Sequence, residues 1–106
     1  MGVEKPDLAV EGETKEGAEV TEPPLYRVFL HNDDFTPRAF VVAVLVAVFH
    51  KPEAEAAALM WQAHHHGIAL CGIYPLELAE TRIARAHEAA RESGFPLRFT
   101  LEEDRP

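Results

Sequence analysis

The chain has 106 residues, 47% of them apolar, and carries a net charge of −8. That is enough chain for one domain with a proper core and too little for two. The charge is uneven. Residues 1–24 hold seven acidic groups against two lysines, while residues 25–106 hold eleven against eight basic groups. No basic stripe offers itself to phosphates, so nucleic acid is excluded as a partner. The longest apolar run, residues 39–49, has 11 residues, short of the roughly 18 that a membrane span requires. The first 13 residues of the chain are acidic and lack an apolar stretch, so no signal peptide is expected and the cytoplasm is the expected location. One cysteine, Cys71, excludes an internal disulfide and suits a reducing compartment.

Residues 1–24 contain no aromatic residue, many glutamates and prolines at 6, 23 and 24, the composition of a disordered extension. A folded domain is expected over residues 25–102, followed by a short tail, 103–106. Leu25 to Leu30 alternate as a strand does. His31-Asn32-Asp33-Asp34-Phe35 is a polar turn. Thr36-Pro37 reads as an N-cap followed by proline at the first helical position. Residues 40–49 contain five valines, which favour a strand, yet their length and the Thr-Pro entry favour a helix. A second helix runs from Pro52 to His66 and is closed by Gly67. Residues 68–74 read as a short buried strand, with Cys71 a buried, inert thiol. The third helix, residues 76–93, places Leu76, Ala79, Ile83, Ala86 and Ala90 on one stripe and ends at Gly94. Residues 96–101 make a last strand. The expected fold is α+β: three helices packed with a three-stranded antiparallel sheet, in the order β-α-α-β-α-β.

Three constellations could carry chemistry. Asn32-Asp33-Asp34 is an ordinary turn sequence, but two carboxylates and an amide oxygen also make a receptor for a cation. His64-His65-His66 ends the second helix. Successive helical positions diverge by about 100°, so the three cannot share one metal ion, and no CxxC or HxxxH spacing supports a metal site. His64 lies one turn beyond Met60, a polar group on the rim of an apolar face. Met60-Trp61 is the third: Trp61 reads as core, and Met60 as a flexible pocket wall. No nucleophile or phosphate-loop motif is present, so a non-enzymatic protein without metal or cofactor is expected, and a monomer. The alternative is a metal- or small-ligand-binding domain using His64–His66.

Residues 26–30 followed by His31-Asn32-Asp33-Asp34-Phe35-Thr36-Pro37 and Phe40-Val41-Val42 resemble the bacterial ClpS family. The resemblance continues through Ala58-Leu59-Met60, His64, Gly67 and Cys71-Gly72-Ile73-Tyr74. It closes on Glu77-Leu78-Ala79-Glu80-Thr81-Arg82 and Pro96-Leu97-Arg98-Phe99-Thr100-Leu101-Glu102. It implies an adaptor that binds proteins whose first residue is Leu, Phe, Tyr or Trp and delivers them to a ClpA-type AAA+ unfoldase. Carried over by position, Asn32, Asp34 and His64 would hold the free α-amino group, with Asp33 as a supporting acid. Leu30, Thr36, Arg38, Val41, Met60, Ala63 and Leu97 would wall the side-chain pocket. Glu77 and Arg82 would dock on the unfoldase, and the N-terminal extension would engage it during hand-over.

Four positions depart from the family pattern. Arg38 stands where the family usually has Met, a residue that guards the pocket mouth against β-branched side chains. Ala39 replaces a Glu that would complete a capping box with Thr36. Ala63 replaces Val and makes the pocket roomier. Arg82 replaces Lys, keeping the charge and changing its geometry.

Overall fold

The computed structural model describes residues 22–106. The expected extension therefore lies, apart from its last three residues, outside the described residues. The elements run β1 (Leu25–His31), α1 (Arg38–Ala47), α2 (Glu53–His66), β2 (Ile68–Pro75), α3 (Leu76–Ser93) and β3 (Arg98–Glu103). The strands form one antiparallel sheet in the order β2-β1-β3, as expected for this α+β fold.

β1 is the central strand and alternates faithfully. Val28 and Leu30 are fully buried beneath the helices, and Tyr26 packs against the same core. Arg27, Phe29 and His31 take the opposite face. β2 alternates too, but with a slip. Val28 pairs with Gly72 and Phe29 with Leu70, so Cys71 is an extra residue in a β-bulge. The bulge lets Cys71 and Tyr74 both point to the core side. The inward site at Gly72 must stay empty, because a Cβ there would lie 2.5 Å from the Tyr74 hydroxyl. β2 is thus an edge strand with one exposed face, not the buried strand its apolar run suggests. Ile68, Leu70 and Ile73 face outward, since among the described residues no layer covers that side of the sheet. Cys71 is buried as expected, and desolvation pushes its thiol pKa up to about 12.

The valine-rich segment is helical. Val41, Val44 and Leu45 are buried at i, i+3 and i+4, a helical stripe that outweighs the β preference of valine. Pro37, not Thr36, occupies the N-cap, and its carbonyl accepts the amides of Phe40 and Val41 at 3.0 and 3.1 Å. No side chain caps the helix; the Thr36 hydroxyl donates backwards to Asp33 instead. α2 buries Ala56, Leu59, Met60 and Ala63. Trp61 lies about 100° round from Met60 and is 44% exposed, which corrects its assignment to the core. α3 buries Ala79, Ile83, Ala86 and Ala90, and its three alanines let the helix lie close to the sheet. Leu76 falls off the stripe, at the first residue of α3 where the chain has only just left the exposed edge strand. β3 runs through Glu103, and the Asp104 amide donates to the Leu25 carbonyl at 2.8 Å.

Candidate functional site

The turn after β1 is organised by one carboxylate. Asp33 Oδ1 accepts the amides of Phe35 at 2.8 Å and Thr36 at 2.7 Å, and Asp33 Oδ2 accepts the Thr36 hydroxyl at 2.8 Å. Such side-chain-to-backbone bonds are what make Asp a turn former. Asp33 is therefore committed to shaping the turn. Asn32 and Asp34, on either side of it, are exposed.

A single backbone bond joins this turn to α2. The Asn32 amide donates to the Gly67 carbonyl at 3.0 Å, one step beyond the β1–β2 pair His31–Ile68. Gly67 closes α2 in the left-handed conformation, with φ 88° and its amide on the Ala63 carbonyl at 2.7 Å. The last turn of α2 and the Asn-Asp-Asp turn are thereby held side by side. His64 belongs to that last helical turn.

Between them, and against the start of α1, lies a cavity of about 280 Å³. Leu30, Val41, Met60 and Ala63 line it and are all buried, with Thr36 the one buried polar residue of the wall. Met60, Ala63 and His64 come from one face of α2, spaced i, i+3 and i+4. The polar lining comes from Asn32, Asp33, Asp34 and His64, and Arg38 completes it from α1. The cavity thus has an apolar floor and an acceptor-bearing rim. It also sits at the C-terminal end of α2, where the helix dipole places partial negative charge. The apolar floor and the rim acceptors suit a guest with an apolar body and a cationic head, while the positive start of α1 and Arg38 lie on the other side of the mouth.

Of the residues the sequence nominates for this site, all but Leu97 line the cavity. Leu97 is buried in the core just ahead of β3 and is absent from the lining. Pro37 and His31 line it although the sequence reading passed over them. Pro37 follows from Thr36 by adjacency. His31 shares a 2.7 Å hydrogen bond with the Thr100 hydroxyl. Burial, with the positive charge of Arg98 adding to it, lowers its pKa below the ordinary histidine value. Within the histidine cluster the His64 and His65 rings meet at 69°, and among the described residues no group of three His, Cys, Asp or Glu converges. Trp61 instead stacks on His65 and meets His64 edge-on, with both ring separations 5.6 Å.

The sequence model of one family, ATP-dependent Clp protease adaptor protein ClpS, matches residues 21–100. The chain belongs to the ClpS family. The ATP-dependent Clp protease adapter protein ClpS of Nitratidesulfovibrio vulgaris strain Miyazaki F is 49% identical over 85 residues, covering 80% of this chain and 85% of that protein. The ClpS protein of Myxococcus xanthus is 44% identical over 96 residues, covering 91% and 90% of the two chains. Among solved structures, Agrobacterium tumefaciens ClpS2 bound to L-phenylalaninamide matches with a TM-score of 0.76 and 43% identity. That match covers 78% of this chain and 100% of the other. The chain is accordingly a Clp protease adaptor. In this ClpS chain the two nominated docking residues lie on the first half of α3. Glu77 is exposed in its first turn, and the Arg82 guanidinium lies 5.0 Å from the centre of the Tyr74 ring.

Proposed function

We propose that this adaptor captures proteins through a free N-terminus that begins with a bulky hydrophobic residue (Leu, Phe, Tyr or Trp) and delivers them to a ClpA-type unfoldase. One observation carries the reading: a buried apolar floor directly beneath a rim of acceptors at the C-terminal end of a helix. An apolar cavity of about 150 Å³ is enough to bind benzene, so about 280 Å³ accommodates an aromatic or leucine side chain. An α-amino group, with a pKa of about 7.7–8.0, is largely cationic at neutral pH and brings three donors. Asn32, Asp34 and His64 receive them, while Asp33 acts one step removed by fixing the turn. Support also comes from the ligand of the matching Agrobacterium protein, since L-phenylalaninamide is a free amine beside a phenyl side chain.

The energetics fit a carrier. Burying the side chain contributes roughly 1.5–3 kcal/mol, and each charge-assisted hydrogen bond roughly 1.5–3 kcal/mol. After association costs, the affinity is of micromolar order, near −8 kcal/mol, tight enough to select and loose enough to release. Glu77 and Arg82 on α3 serve as the docking pair for the unfoldase, on an element that contributes nothing to the cavity lining.

A pair of peptides identical except for acetylation of an N-terminal Phe tests the proposal. The free peptide is expected to bind and its acetylated twin to bind far more weakly, measured by fluorescence anisotropy. Equal binding of the two would remove the α-amino group from the account.

A further inference from the structure

Arg38 lines the cavity mouth, but as a cation it neither suits the start of a helix nor can accept from an amine. It opens α1, where the helix dipole is positive and a cationic side chain is unfavourable, and no acidic residue in that first turn offsets it. Among the described residues the ion pairs are Arg27–Asp104, Lys51–Glu55 and Arg105–Glu103; Arg38 is in none of them. Its guanidinium reaches across from α1 to α2. There it donates to His64 Nε2 at 3.2 Å and lies 5.0 Å from the centre of the Trp61 ring. A guanidinium has only donors, so His64 Nε2 is the acceptor in this contact.

An amine that takes Nε2 displaces that contact. Nε2 has one lone pair, and an α-ammonium group can only donate to it. When the amine takes Nε2, Arg38 is released at the mouth with its charge unpaired, while Trp61 still offers its face as a platform. The first side chain of the guest fills the cavity and its amine sits on the rim, so the second residue leaves through that same mouth. We infer that Arg38, resting on Trp61, forms a subsite for the second residue of the captured chain and selects an acidic side chain there. A guanidinium receives a carboxylate through two parallel hydrogen bonds. A lysine at that position would instead meet a like charge.

This inference rests on the reading of the cavity as an N-terminus receptor, and its test separates the two. Three free-amine peptides differ only at position two, Phe-Glu, Phe-Gln and Phe-Lys, and are titrated against the full chain and its Arg38→Gln and Arg38→Met variants. Trp61, the one tryptophan in the chain, gives an intrinsic fluorescence signal beside anisotropy. At low salt the Glu peptide is expected to bind about fivefold tighter than the Gln peptide, with Lys weakest, as partly exposed ion pairs allow. Near-molar salt, where the screening length falls to about 3 Å, is expected to compress the series. Both variants are expected to bind the Glu and Gln peptides alike. Binding of all three with no preference in the native chain, or a preference that persists in the variants, overturns the subsite alone. Failure of every Phe peptide to bind overturns the capture reading and the subsite with it.

Discussion

Neighbouring carboxylates in the Asn32-Asp33-Asp34 turn have separate duties. Asp33 accepts three hydrogen bonds from its own turn, at 2.7–2.8 Å, and Asp34 stands exposed on the cavity lining. Asp34→Ala is expected to weaken binding of a Phe peptide about 10- to 100-fold, the loss of one charge-assisted bond, with an unchanged melting temperature. Asp33→Ala is expected to do the reverse first. It should cost about 1–2 kcal/mol of stability by loosening the turn, with binding falling as a consequence. Parallel denaturation and titration of the two variants would reveal whether the division holds. The resemblance gave Asp34 to the amine and Asp33 a supporting part, but an adjacent pair of acids carries no mark of which one the backbone uses. Only the positions of the Phe35 and Thr36 amides settle that.

At the level of elements, the cavity depends on where α2 stops. Gly67 ends the helix at φ 88° and passes its carbonyl to the Asn32 amide, so one residue sets both the helix length and the distance to the turn. A side chain at Gly67 would meet no atom within 4 Å, yet the left-handed backbone is costly for any other residue. Gly67→Ala is expected to lose about 1–2 kcal/mol in denaturant unfolding and to weaken peptide binding beyond that, because His64 and Asn32 move apart. Most of this architecture was legible in the chain. Gly67 and Gly94 marked the two helix ends, and the spacing of Val41, Val44 and Leu45 carried the helix where composition was divided. What escaped was the side each residue faces at a boundary. Ile68, Leu70 and Ile73 are apolar yet outward, because β2 is an edge strand on a sheet that the described residues cover on one side only. Trp61 and Leu76 were drawn into the core by hydrophobicity, although helical angles place Trp61 off the stripe of Ala56, Leu59, Met60 and Ala63. Leu97, buried but not at the cavity, shows that the wall depends on tertiary placement that no local pattern encodes.

For the whole molecule, the joint between α3 and the sheet carries a pH dependence. His87 Nε2 accepts the Phe99 amide at 3.0 Å, and burial, with Arg91 and Arg98 nearby, lowers its pKa. His31 is lowered in the same way, by burial and by Arg98. A lowered folded pKa means that the unfolded chain binds more protons as the medium acidifies. The stability these groups contribute is therefore complete above the unfolded value of about 6.5 and is lost as pH falls through the lower folded values. Melting curves taken from about pH 7.5 downward are expected to show stability declining below about pH 6.5, with a shallower decline in His87→Asn. A decline equally steep in that variant would place the acid sensitivity elsewhere. The direction of β1 has a practical consequence as well. The chain enters the strand at Leu25 and reaches the cavity at His31, so the two ends lie about 20 Å apart at the usual rise per residue. A biotin or a bead coupled beside Leu25 would stand clear of the mouth, and the molecule could be immobilised there for kinetic measurement without blinding it.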